Sequence, residues 1–132
     1  MVRNILAIVA GLVIGSIVNG FLVTVGPVVI PPPAGTDLTT VEGITAAMPL
    51  MKPINFLVPF AAHALGTLVG AMVAALIAVG SRMKFALAIG VLFLIGGIIA
   101  SWMIPAPTWF VALDLIFAYI PMAWIGAKLG KA

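Results

Sequence analysis

Asn19, His63 and Asp114 are the side chains of this sequence best able to do chemistry, because each stands almost alone in a long apolar run. Thr67, Ser101 and Tyr119 are milder polar company in the same runs. An imidazole and a carboxylate in apolar surroundings suit four tasks. As a hydrogen-bonded pair they fix helix register, and this is the leading reading. They can also relay a proton or hold an ion or substrate, the default reading for ionisable residues inside a membrane. The imidazole alone can be an axial ligand to haem or to a chlorophyll-like ring. Finally, His and Asp together could act on a lipid or prenyl substrate. The chain has a single histidine, so bis-histidine haem within one copy is excluded. One His and one Asp are too few for a metal site, and no nucleophile stands at a useful spacing from them. No catalytic residue, no metal and no cofactor are therefore expected, with haem or pigment at His63 the minority alternative. There is no cysteine, which removes disulfides, thiolate catalysis and cysteine-ligated metals.

These polar residues need elements to carry them, and composition says which. The chain is 64% hydrophobic and 7% charged, whereas soluble domains are about a quarter charged. So few charges could not cover a water-facing surface, which places the chain in a lipid bilayer. A helical span needs about 20 mostly apolar residues. Four stretches of one domain, 1–132, qualify: Asn4 to Val25, Ile54 to Val79, Phe85 to Ile104 and Thr108 to Ala127. Each must be helical, because backbone polar groups find no water inside lipid. The first run is too long for a signal peptide and lacks a small-residue cleavage site after it, so it reads as a retained span. Pro59 and Pro121 fall inside spans, where each removes a backbone hydrogen bond and can bend its helix.

The charges give direction. Arg3, Arg82, Lys84, Lys128 and Lys131 fall on one side of a four-crossing chain, and Lys52 with Asp37 and Glu42 on the other. This positive-inside bias puts both termini in the cytoplasm. The formal charge of +3 reports orientation in such a chain, and no nucleic-acid partner is implied. Trp102 and Trp109 then sit at the outer interface and Trp124 at the inner one. Counted at about 1.5 Å per residue, Asn19 and Asp114 lie roughly 9 Å below the outer ends of spans one and four, with His63 a little deeper in span two. Three helices thus converge on one outer polar layer. The expected arrangement is a His63–Asp114 pair, with Asn19 or Ser101 completing its hydrogen bonds. Tyr119 and Trp124 read as packing and belt residues.

The outer loop, 26–53, opens on a stiff proline run, and Thr39 and Glu42 then have capping-box spacing before an apolar stretch ending near Met51. A short helix lying on the outer membrane surface is expected there, with Met48 and Met51 facing the membrane. Helices in lipid associate by close packing of small residues. Gly11 and Gly15, Gly66 and Gly70 with Ala74 and Ala78, and Ala86, Gly90, Gly97 and Ser101 form such stripes, serving contacts within the chain or between copies.

The segments PPPAGTD (31–37), AHALGTLVGA (62–71), PAPTWF (105–110) and YIPMAW (119–124) resemble those of small four-span bacterial inner-membrane proteins to which no activity is assigned. The resemblance covers most of the chain, implies a bacterial inner membrane and carries over no functional residue. The chain does not resemble small multidrug transporters, whose first span carries an acidic residue, nor membrane glutathione-type enzymes. The sequence therefore reads as an all-α, four-helix membrane bundle. Its expected role is that of a non-enzymatic accessory or assembly subunit, with the lipid bilayer and other membrane subunits, or further copies of itself, as partners. An oligomeric transporter or channel is the alternative, and a haem- or pigment-binding subunit the third reading.

Overall fold

The computed structural model describes residues 1–132. The chain is helical, without a strand: α1 (Val2–Val29), α2 (Val41–Ala47), α3 (Leu57–Ile77), α4 (Arg82–Met103), α5 (Thr108–Phe117) and α6 (Ile120–Leu129), with 3-10 turns at Met48–Leu50 and Pro53–Phe56. Four stretches are long and apolar enough to cross a membrane: Val2–Val29, Pro53–Ile77, Arg82–Met103 and Thr108–Leu129. They run antiparallel in sequence order. The termini and the 78–81 turn lie at one end (the turn end). The 30–56 segment and the 104–107 turn lie at the other (the loop end).

At the turn end the N-terminus caps α3. Asn4 Nδ2 donates to the Val79 carbonyl at 3.2 Å, and Asn4 Oδ1 accepts from Val79 N at 2.7 Å. Arg3 Nε donates to the Ile77 carbonyl at 3.1 Å. These bonds satisfy backbone groups that the end of a helix leaves open. Gly80, at φ 84, takes the left-handed conformation that lets the chain reverse so sharply.

The bundle is held by backbone approach. A methyl built at Gly11 would stand 2.7 Å from the Gly70 carbonyl oxygen, and one at Gly70 2.6 Å from that of Gly11. Gly15 and Gly66 form the same reciprocal pair, at 2.7 and 2.9 Å. Lipid gives helices little hydrophobic reason to associate, so contact this close, available only to small residues, supplies the adhesion. α4 meets the end of the chain through side chains instead, with Gly90 against the Ala123 methyl of α6 and Gly97 against the ring of Tyr119, the residue before α6. Between the two seams, Ala71, Ala74, Ala75, Ala86, Ile89, Ala123 and Ala127 make a fully buried core.

Three prolines behave differently from expectation. α1 continues through Pro27 to Val29 instead of stopping at Val25. The ring sits so near the helix end that it interrupts little of the ladder. Pro59 lies in the first turn of α3, where N–H groups have no intrahelical partner, and the helix runs on from it to Ile77. Pro121, expected to bend a single fourth span, instead divides it, and Ala118 and Tyr119 are non-helical between α5 and α6. Its missing N–H and its ring, which would collide with the carbonyl four residues back, both disfavour continuation.

The short helix in the loop is present as α2, but its cap is one residue later than the spacing suggests. Thr40 Oγ accepts from Gly43 N at 3.0 Å, because the Thr39 hydroxyl is engaged with Asp37. Asp37 also accepts from Thr39 N at 2.9 Å. The Thr39 hydroxyl and then its amide hold the Asp37 carboxyl below its ordinary 3.8.

Candidate functional site

His63 stands two turns into α3 and Asp114 in the second half of α5. Their Nδ1 and Oδ1 atoms share a hydrogen bond of 2.9 Å. The second carboxylate oxygen accepts from the Tyr119 hydroxyl at 3.1 Å. The His63 and Tyr119 rings stack with centroids 5.9 Å apart and an interplanar angle of 24°. Asp114 is 5% exposed, so both of its oxygens are partnered in a place where an unpaired one would be costly. The His63 side chain keeps 27% of its surface accessible, and its Nε2 has no protein partner.

The break at 118–119 is what brings Tyr119 into this group. Five residues along an uninterrupted helix rotate a side chain by roughly 140° from its starting face. Tyr119 would then point away from Asp114. The break turns it back, and Gly97 leaves room for its ring, since a methyl there would lie 2.5 Å from the hydroxyl. Tyr119 is 3% exposed, packs with Ala64 and Ala118 in a small core as expected, and is also bound to the carboxylate, so it is a member of the site as well.

The pair floors a loop-end cavity of about 240 Å³. Val23 and Pro27 of the first span, with Ile30 just beyond it, line one side, and Ile104, Phe110 and Val111 another. The loop closes over it with Leu38, Ile44, Met48 and Met51. Met48 and Met51 thus face the cavity instead of the membrane, because the 3-10 turn after α2 rolls them inward. Phe56, 3% exposed, seals the corner against Trp109 at 5.4 Å and Phe110 at 4.9 Å between ring centroids. Asn55, which sequence reasoning passes over, ties the loop down. It accepts from Lys52 N at 2.8 Å and donates to the Pro31 carbonyl at 3.1 Å. The signal is an amide at the very start of the second apolar run, where the chain leaves the loop and backbone groups still need partners.

Asn19 and Ser101 do not complete the His63–Asp114 pair. Ser101 lines the loop-end cavity, but its hydroxyl donates to the Ile98 carbonyl of its own helix at 2.6 Å. Asn19 and Thr67 face a second cavity of about 200 Å³ between α1, α3 and α4, whose walls include Gly15, Gly66, Gly97, Phe93 and Tyr119. Asn19 sits there because Gly66 lets its Cβ approach closely. His63 lines both cavities. No three His, Cys, Asp or Glu side chains stand close enough together to hold a metal ion. In chemical terms the site is a hydrogen-bonded His–Asp–Tyr network with one free imidazole nitrogen beneath an apolar cavity. No protein-family model, curated protein or solved structure matches the chain.

Proposed function

We propose that the chain is a small, non-enzymatic membrane protein that holds a membrane-soluble amphiphile in the loop-end cavity. The polar head of the guest meets His63 and Asp114, and its apolar body lies among Ile44, Met48, Phe56 and Phe110. One observation carries this reading. An ionisable pair, Asp114 buried and His63 half-buried, forms the floor of a cavity whose remaining walls are almost wholly apolar. An apolar pocket with a few convergent polar groups is the usual form of a small-molecule site. The proposed setting is a bacterial inner membrane with both termini cytoplasmic, supported by Arg3, Arg82, Lys84, Lys128 and Lys131 gathering at the turn end while Lys52 alone is at the loop end.

Native mass spectrometry of the full chain, taken from its own membrane in mild detergent, tests the reading. One extra small-molecule mass per chain is expected, and both His63→Leu and Val111→Trp should remove it. A folded wild-type chain of bare mass would refute it.

The accessory-subunit reading stands second, supported by how lightly the first and third spans are covered. In each, 17% of the apolar window is buried, against 44% in the second span. Those faces leave room for partner helices as well as lipid. Stoichiometric foreign subunits in the same spectrum would favour it, whereas a homo-oligomer would favour transport.

A further inference from the structure

Asn19 and Thr67 carry a separate inference. Thr67 is 1% exposed, and its hydroxyl has no hydrogen-bond partner. Asn19 Oδ1 is likewise buried and unpaired. Both residues line the second cavity. Buried polar atoms are almost always partnered, by protein or by a guest, because an unmade bond forfeits the full desolvation of the group. An amide oxygen only accepts, while a threonine hydroxyl can accept or donate. A guest must therefore donate to Asn19 Oδ1, and an O–H group, which both donates and accepts through one atom, satisfies the two together. The wall offers no carboxylate or ammonium, and its one ionisable group, His63, is already bonded to Asp114, so a neutral guest fits it. At about 200 Å³ the cavity has room for several water molecules or a small alcohol.

We infer that this cavity is a second binding site, for neutral O–H donors held by Asn19 Oδ1 and Thr67 Oγ. Because His63 lines both cavities, its ring is the common wall between this guest and whatever occupies the loop-end chamber. The inference stands on different atoms from the amphiphile reading, since neither Asn19 nor Thr67 lines the loop-end cavity.

The test uses the full chain in bilayer nanodiscs with isotope-labelled Asn, Thr, His, Asp and Tyr. Magnetisation from O–H protons should reach the Thr67 methyl and the Asn19 side-chain amide. O–H transfer without any cross-peak from non-exchanging C–H protons identifies water. Transfer accompanied by cross-peaks from non-exchanging C–H protons beside an oxygen identifies an alcohol. Either supports the site. Thr67→Val, which keeps the shape and removes the hydroxyl, should abolish or sharply reduce the transfer at Asn19 while the His63–Asp114 and Tyr119 signals persist. Contacts from acyl methylenes alone, no O–H transfer in the wild type, or transfer unchanged in Thr67→Val would overturn the inference.

Discussion

At the scale of single residues, Asp114 is the member whose partners cannot be removed without consequence. Removing His63 leaves the buried Asp114 carboxyl without one of its two partners, and His63→Leu should destabilise the protein by about 3 kcal/mol. Tyr119→Phe removes one neutral donor and should cost about 1 kcal/mol. Combining His63→Leu with Asp114→Leu should cost less than the sum of the two, with a coupling of roughly 0.5–3 kcal/mol. Chemical unfolding in micelles measures all of these, and additivity within error would remove the pair from the account. Asp37 gives a pH test outside the spans. Its carboxyl is held below 3.8 by the Thr39 hydroxyl and amide. A depressed folded value means that the turn has its full contribution above the ordinary carboxylate range and loses it as pH falls through the folded value. Thr39→Val should move the Asp37 midpoint up toward 3.8, as followed by NMR titration. His63 and Asp114 are legible in the sequence because polar groups in lipid must find one another. Asn19 and Ser101 are not, because residue counting gives height along a helix, but not which neighbour a side chain faces. Tyr119 is hidden by a helix break.

At the scale of elements, the glycines divide into those that touch and those that do not. A methyl at Gly70 meets the Gly11 carbonyl, a backbone atom that cannot step aside. Gly70→Ala should therefore loosen α1 from α3 and destabilise by about 1–3 kcal/mol. At Gly20 and Gly96 an added methyl would have no neighbour within 4 Å. Gly20→Ala and Gly96→Ala should stay within about 0.5 kcal/mol of wild type. Thermal or denaturant unfolding of the three variants would separate the groups, and equal effects would refute the seam as the source of adhesion. The existence and number of the long helices follow from apolar run length, since a bilayer leaves backbone few alternatives. Their ends do not follow. Whether Pro27, Pro59 and Pro121 interrupt a helix depends on how many hydrogen bonds remain on either side of each, and that is settled only once the true ends are known.

At the scale of the whole molecule, the proposed orientation has a direct check, because the chain has no native cysteine to interfere. Thr36→Cys at the loop end should react with an impermeant maleimide added outside intact cells, and Ser81→Cys at the turn end only after permeabilisation. The reverse pattern would invert the topology. The break between α5 and α6 has one further consequence. α6 is packed along α3 and α4, whereas α5 touches its neighbours sparsely. The two halves of the fourth crossing should then open with different free energies, and hydrogen exchange should release the amides of 112–117 well before those of 124–129. Asp114 rides on the loosely held half, and His63 on the most heavily packed helix of the bundle. The bond between them therefore ties the loosely held half of the fourth crossing to the most heavily packed helix, at the floor of the loop-end cavity.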